Sequence, residues 1–385
     1  MANLLEEASI LLTPTAYNDG KMLSVKPTNG DGDFIFTRNS AATRVNAQGL
    51  VDSVSENLPR INYEDGCGIW LLEPQSTNSI THSEDFSSTF YVKDSGVIVG
   101  NTNNISPSGE VNATKVNVTD NGRIYANMPS ATYYSTVFIK AGTFSYFKFL
   151  NSNIDLVAET NSSGSIENYG NGWFRIGIAI TSVRPFQIQA YPDNTYTNHT
   201  TTGSYYIWGA QAEQQSFATS YIPTQGAIST RLQDIATNSG NASLINSEEG
   251  VLYAETKASV NSGNITLSNG SNNDNLIISF NLSSGRIDCN MKAGGVYQFI
   301  FNYTTDMTIN NKIAVRYKAN DFSLFVNGIK VLTDTSGITP IANTFDRLNF
   351  SSANTAANYF YGKTKAIAVY KTALTDEQLT ALTTI

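Results

Sequence analysis

The sequence predicts an all-β protein: tandem antiparallel β-sandwich domains, a small N-terminal attachment segment and a short C-terminal helix. Three observations carry this. Most of the chain has a two-residue hydrophobic period, or short apolar runs broken by Gly, Asn, Asp and Ser, which is the pattern of strands and turns. The apolar runs are near the usual strand length of about 5–6 residues and recur at regular spacing, as in sandwiches. Helical signals are confined to the two ends.

The strand candidates in the middle of the chain are Thr136–Lys140, Phe144–Leu150, Phe174–Ile180, Phe186–Tyr191 and Tyr205–Gly209. A second group follows at Gly250–Ala258, Asn275–Asn281, Lys312–Lys318, Asp321–Val326 and Lys363–Tyr370. In the second group Ile313, Val315 and Tyr317 alternate to one face, and Leu324 and Val326 continue the alternation. Asn327-Gly328 then predicts a tight hairpin, because both residues tolerate positive φ. The strand Ile329–Leu332 returns. Residues 3–10 can form one or two helical turns. At the other end Thr375 is an N-cap with Gln378 three residues on, a capping box, and Asp376 and Glu377 fall in the first turn, where the helix dipole favours anions. Leu374, Leu379 and Leu382 are placed to pack on the sheet behind.

Two polar, turn-rich stretches, 74–84 and 222–248, mark boundaries. They divide the chain into an N-terminal segment 1–75, a middle domain 76–225 and a C-terminal domain 245–385. There is no repeat of fixed period, so a solenoid or propeller is excluded.

Charged residues make up 15% of the 385, against roughly 25% in ordinary soluble domains. The net charge is -8 and no Lys/Arg cluster occurs. Nucleic-acid binding needs concentrated basic charge, so no nucleic-acid partner is expected. The N-terminus lacks a basic region ahead of its apolar run, which Glu6 and Glu7 interrupt, so no signal peptide is expected. No run approaches the roughly 18 apolar residues of a membrane span, so no membrane insertion is expected. Cys67 and Cys289 fall in different segments and read as free thiols. His82 and His199, the only histidines, lack zinc-ligand spacing from either cysteine.

Catalytic signatures are missing. No G-x-S-x-G, P-loop or dinucleotide fingerprint occurs, and the strongest strands carry no carboxylates at i, i+2 or i, i+4, as a glycosidase pair on one strand would require. The expectation is a protein that is not an enzyme and needs no cofactor. The oxygen-rich loop Asn272, Asn273, Asp274, Asn275 is the one place to look for calcium; it lacks EF-hand spacing and reads as a hairpin loop.

The C-terminal domain resembles a known family. Val326-Asn327-Gly328 and the run from Ile367 through Leu379 match the "VNG" turn and the closing strand-plus-helix of laminin-G-like, concanavalin A-like jelly rolls. That resemblance implies a two-sheet sandwich, with glycans or proteins bound on the rim or concave face, sometimes with calcium. The middle domain, through STVFIKAG, NGWFRIGIAI and the closing Thr219-Ser220-Tyr221-Ile222-Pro223-Thr224, resembles carbohydrate-binding-module-like jelly rolls of bacteriophage structural proteins. In the N-terminal segment, Arg38, Ala42, Thr43, Gly49, Pro59, Arg60, Tyr63 and Glu73 carry a similarity to the stretch that precedes this module in phage fibre proteins. Together these imply a structural component of a tailed-bacteriophage virion, a head or tail fibre, spike or decoration. Its N-terminal segment would join other virion proteins and its sandwiches would meet host-surface glycans. A homo-oligomer follows, with a trimer expected, assembled in the host cytoplasm. A secreted bacterial glycan-binding adhesin is the alternative, and a polysaccharide depolymerase a more distant one.

Four aromatic residues are candidates for stacking on sugar rings: Trp173, Trp208, Tyr134 and Tyr206. Each tryptophan reads more readily as a core residue, because aromatics dominate core burial. In the tyrosine pairs 133–134 and 205–206 one side chain must face in and the other out. Arg38, Arg44 and Arg60 are candidates to hold a neighbouring subunit through carboxylate pairs.

Overall fold

The structure, a computed structural model, describes residues 4–259, 263–353 and 357–385, and of 101–103 the backbone only. The all-β expectation holds. Antiparallel sheets build the chain, with a 3-10 turn at Leu4–Glu7 near one end and the α-helix Asp376–Thr383 at the other. Asn3, where the expected N-terminal helical stretch begins, lies outside the described residues. Among the described residues no helix is long and apolar enough to cross a membrane.

The chain forms two compact units. The first comprises Met1–Asn39, Val54–Pro74 and Gln233–Ile385; the second comprises Ser40–Ser53 and Gln75–Leu232. Two of the borders, Pro74/Gln75 and Leu232/Gln233, lie within the polar stretches 74–84 and 222–248; the other two, Asn39/Ser40 and Ser53/Val54, lie inside the N-terminal segment.

The first unit is a sandwich. Its large sheet runs in the order Ile329–Asp334, Phe322–Val326, Asn311–Lys318, Glu249–Ala258, Gly362–Tyr370, Cys67–Leu72, Ile61–Glu64, and Ile10–Leu12 also pairs with Gly362–Tyr370. Facing it is a five-strand sheet, Val296–Thr304, Arg286–Ala293, Asn275–Asn281, Gly263–Ser268 and Arg347–Asn349. Alternation aims Leu252, Ile313, Val315, Leu324 and Ile367 at Ile265, Leu267, Leu276, Ile278 and Met291, and this packed layer is the core. The other face of the large sheet is also covered. Tyr253, Ala314, Phe325, Ala368 and Tyr370 pack with Leu374, Leu379 and Leu382 of the C-terminal helix and its approach.

That helix starts as its residues dictate. Thr375 Oγ1 accepts from the Gln378 N–H, and the Thr375 N–H donates to Gln378 Oε1 at 2.9 Å. Arg316 fastens the same end, donating to Asp376 at 2.7 Å and to the Leu374 carbonyl at 3.1 Å. The Asn327-Gly328 turn has φ of 51° and 83°, the double positive φ of a type I′ hairpin.

The expectation for residues 1–75 needs correction. They do not stand apart as a segment. Ile10–Leu12 and Cys67–Leu72 both pair with the strand Gly362–Tyr370, while Ser40–Ser53 belong to the second unit. Strands with three and four buried residues leave backbone N–H and C=O groups in need of partners, and here the last strand of the chain supplies them. The arginines are corrected likewise. Arg38 and Arg60 point inward: Arg38 donates to Asp234 at 3.1 Å, and Arg60 donates to Glu73 at 2.7 Å and to Asp234. Arg44 pairs with Asp52 at 3.1 Å. All three have partners inside the chain.

The second unit has two six-strand sheets. One is ordered Val92–Lys93, Arg123–Ala126, Phe186–Tyr191, Tyr146–Phe149, Ser152–Asp155, Thr160–Asn161. The other is ordered Val97–Asn104, Ala113–Val118, Gly203–Glu213, Ala131–Ala141, Trp173–Ser182, Ser165–Asn168. Val116, Ile139, Ile176, Tyr205 and Ile207 meet Phe147, Phe149, Ile154, Phe186 and Ile188 between them.

All of the polar stretch 74–84 except Pro74 is part of this unit. Asn78, Ile80 and Ser83 are fully buried. The Asn78 side chain donates to the carbonyls of Ala210 and Ile222 and accepts from the N–H groups of Ile80 and Ala212. Ser83 and Thr224 exchange bonds, with Thr224 N donating to Ser83 Oγ at 2.8 Å and Ser83 N donating to Thr224 Oγ1 at 3.0 Å. Polarity here serves the backbone of the returning segment Tyr221–Thr224, and so the sequence looks like a surface linker.

Candidate functional site

The best-formed polar surface is the outer face of the five-strand sheet in the first unit. Arg286–Ala293 alternates throughout: Ile287, Cys289 and Met291 enter the core, and Arg286, Asp288, Asn290 and Lys292 face out. Register carries the rows across neighbouring strands. One row is Thr266, Ile277, Asn290, Ile300; the next is Asn264, Ser279, Asp288, Asn302; a third is Ser268, Asn275, Lys292, Tyr297. Adjacent strands lie about 4.8 Å apart, so each row is a continuous strip of side chains.

The strip is partly pre-engaged and partly open. Ser279 Oγ donates to Asn264 Oδ1 at 2.7 Å, Arg286 donates to Asp288 at 3.1 Å, and the Lys292 ammonium sits 4.4 Å from the Tyr297 ring centre. The side chains of Asn290 and Asn302 have no hydrogen-bond partner among the described residues. Thr266 Oγ1 and Asn275 Oδ1 are buried and also without one. Thr266 and Asn275 are 0% and 2% exposed, too deep for a ligand to reach, so the groups open to one are the amides of Asn290 and Asn302. Amide and hydroxyl groups beside the apolar Ile277 and Ile300 can bond a sugar's hydroxyls and pack its C–H face. Asp288 is the one carboxylate in these rows, and Arg286 engages it. The alternation of Arg286–Ala293 was the available sequence signal; aromatic stacking drew attention elsewhere.

The four aromatic candidates separate. Trp173 and Trp208 are each 2% exposed and cannot present a ring face to a sugar, which corrects their assignment as stacking platforms. They form a second core with Phe138, Tyr221, Val51 and Ala113 on the second face of the central sheet, under the hairpin from residues 42–54. Trp173 Nε1 donates to the Ile105 carbonyl at 3.0 Å, and the Trp208 ring lies 4.6 Å from that of Tyr221. The reason is that over these residues the sheet is covered on both faces, so an outward strand position is not everywhere a solvent position. Tyr134 is half-buried, its hydroxyl donating to Ser165 at 3.1 Å. Tyr206 is half-buried at the border of the aromatic group, between Lys115 and Lys140 in the sheet register.

Glu84 was missed by the sequence reading. Tyr221 OH donates to its Oε1 at 2.9 Å and Asn112 Nδ2 to its Oε2 at 3.0 Å. Burial raises its pKa above the ordinary glutamate value, and the Tyr221 bond opposes that. Elsewhere in the second unit a cleft of about 370 Å³ is lined by Gln75, Ser76, Thr77, Ser79, Gln214, Gln215 and Ile228.

The calcium loop does not fit a cation. Asp274 Oδ1 accepts from Gly294 N and the Asn273 carbonyl from Gly295 N, both at 2.8 Å, so its oxygens brace the next turn. Among the described residues no group of three His, Cys, Asp or Glu is placed to hold a metal.

Comparison with known proteins bears on the first unit. Residues 251–380, about a third of the chain, match the family described as the concanavalin A-like lectin/glucanases superfamily, a laminin G type domain. Similar solved structures include the Ruminococcus gnavus IT-sialidase CBM40 bound to α2,3-sialyllactose, at 18% identity over 38% of this chain and 93% of that one, with a TM-score of 0.33. The NanB sialidase of Streptococcus pneumoniae is similar at 19% identity over 36% and 24% of the two chains, with a TM-score of 0.32. A heptameric pentraxin of Limulus polyphemus is similar at 12% identity over 35% and 70%, with a TM-score of 0.30. No curated protein matches the chain.

Proposed function

We propose that this protein is a non-catalytic glycan-binding component of a bacteriophage virion, a fibre, spike or decoration protein that meets host-surface sugars. The observation that carries the glycan reading is the outer face of the five-strand sheet. It gathers amides, hydroxyls and one carboxylate around apolar positions, and leaves the side chains of Asn290 and Asn302 without partners among the described residues. The family match of residues 251–380 supports it. A non-catalytic role is supported by the single carboxylate in those rows, since glycosidases set two about 5–9.5 Å apart.

The virion reading rests on the N-terminal and middle motifs. Arg38, Arg60 and Glu73 of that pattern form one buried network with Asp234, and Tyr221 to Thr224 interlock with Asn78 to Ser83. Exposed isoleucines favour a homo-oligomer: Ile329 and Ile300 lie on the terminal strands of the two sheets, and Ile338 and Ile341 follow in sequence.

The test is a glycan array probed with the full chain and with the Asn290→Ala/Asp288→Asn variant, after circular dichroism shows both folded. Binding that drops at least tenfold in the variant supports the reading. Unchanged binding, or none to any glycan, overturns it. Mass spectrometry of purified particles tests the virion assignment, and light scattering the oligomer.

A further inference from the structure

We infer that the second unit carries a separate site for an acidic sugar, a pyranose bearing a carboxylate, built by Lys115, Tyr206 and Lys140. Sheet register makes them neighbours. Lys115 pairs with Tyr206, Tyr206 with Lys140, and Lys140 with Trp173. Cross-strand partners in an antiparallel sheet point to the same side, so the tyrosine stands between two lysine side chains. With strands about 4.8 Å apart, the lysine backbones are separated by about 10 Å, a span that takes one sugar ring.

All three residues are half-buried rather than covered. Neither lysine has a hydrogen bond or ion pair among the described residues. Other cations of the same unit do: Arg44 pairs with Asp52 and Arg123 with Asp94. Two unpaired cations flanking an aromatic ring, in a chain of net charge -8, form a local positive spot on an acidic protein.

The platform is fixed from beneath. Tyr206 packs on the buried group of Trp173, Trp208 and Phe138, and the Trp173 bond to the Ile105 carbonyl holds that group in place. A rigid ring loses little entropy when a sugar's C–H face lies on it. Ammonium-to-carboxylate hydrogen bonds on either side then add charge to stacking and select acidic over neutral rings. Tyr206 therefore takes the stacking role, and the buried tryptophans support it.

The experiment is affinity gel electrophoresis of the full chain in gels containing polygalacturonate, hyaluronate or polysialic acid. Each polymer is run beside its carboxyl-reduced form, with dextran sulfate as a purely anionic polymer. At least one carboxylated polymer is expected to retard the protein, and its reduced form is not. Lys115→Gln/Lys140→Gln is expected to weaken that retardation at least tenfold, Tyr206→Ala likewise, and Tyr206→Phe, which keeps the ring, far less. Melting curves confirm that each variant is folded. The inference falls if none of the three polymers retards the protein, or if the lysine variant behaves as wild type. It also falls if dextran sulfate retards as strongly as the carboxylated polymers with Tyr206→Ala unaffected, which marks a bare charge effect. Neutral-glycan binding, read on the same preparation, tests the face in the first unit, so the two readings fail separately.

Discussion

Replacing Asp234 by Asn is expected to be among the most damaging conservative changes in the first unit. Asp234 accepts from Arg38 Nη1 at 3.1 Å, from Arg60 and from the Glu73 N–H at 2.8 Å, and its own N–H donates to the Glu73 carbonyl at 2.9 Å. Arg38, Arg60 and Asp234 are each 1% exposed. Burial alone would lower the Arg60 pKa, and the carboxylates of Asp234 and Glu73 hold it above its ordinary value. Two arginines and two carboxylates balance; Asp234→Asn leaves an uncompensated buried positive charge, and its amide N–H groups face guanidinium donors. Breaking one partner of a buried ion pair costs about 3–5 kcal/mol. For a unit of this size that is about 6–20 °C in melting temperature, at roughly 2–4 °C per kcal/mol. Scanning calorimetry measures it. The reference variant is Lys318→Gln, which breaks an exposed pair with Glu249 at 3.2 Å and should cost less than about 1 kcal/mol. If Asp234→Asn shifts the transition no more than Lys318→Gln, the network does not hold the N-terminal strands to the rest of the unit and the reasoning fails.

Other outcomes follow from burial. Trp208→Ala should destabilise the protein by about 3–5 kcal/mol, as large-to-small core changes do, and wild-type tryptophan fluorescence should be blue-shifted and poorly quenched by iodide, since Trp70, Trp173 and Trp208 are all buried. Red-shifted, readily quenched emission would contradict the core assignment. In native protein a thiol reagent should modify Cys67 and spare Cys289, which is buried with its thiol pKa pushed up; full modification should require denaturant. Glu84 gives a pH signature. Its folded pKa is raised, so the folded state holds the proton more tightly than the unfolded one, and its stabilising contribution is present below about 4.5 and lost as pH rises through the raised value. Glu84→Gln should therefore flatten the difference in urea midpoint across that window, and an unaltered pH profile would refute the assignment.

Local rules made much of the fold legible. Alternation located the strands from Ala131–Ala141 to Gly362–Tyr370, Asn327-Gly328 fixed a hairpin, and Thr375 with Gln378 fixed the start of the helix. These depend on neighbours within a few positions. Partnerships across the chain were not legible. Asp234 lies 196 residues from Arg38 and 174 from Arg60, and Tyr221 lies 137 from Glu84. A lone arginine in sequence therefore read as an anchor for another molecule. The tryptophans misled for a related reason: alternation says which face of a strand a residue takes, but not whether another layer covers that face. Lys115, Tyr206 and Lys140 become neighbours only through strand order, which no short window contains.

The interleaving of the two units sets an order of events during synthesis. Ile10–Leu12, and the edge of Cys67–Leu72 that Ile61–Glu64 does not take, find their sheet partner only when Gly362–Tyr370 has been made, about 290 to 359 residues later. The second unit, whose neck is closed by Ser76–Asn78 pairing with Ser229–Arg231, has all but the hairpin of residues 40–53 within one continuous stretch and can complete itself first. For that interval the early strands emerge from the ribosome with unsatisfied edges. Nascent chains halted before residue 362 should bind holdase chaperones, and release should follow translation of the final strand.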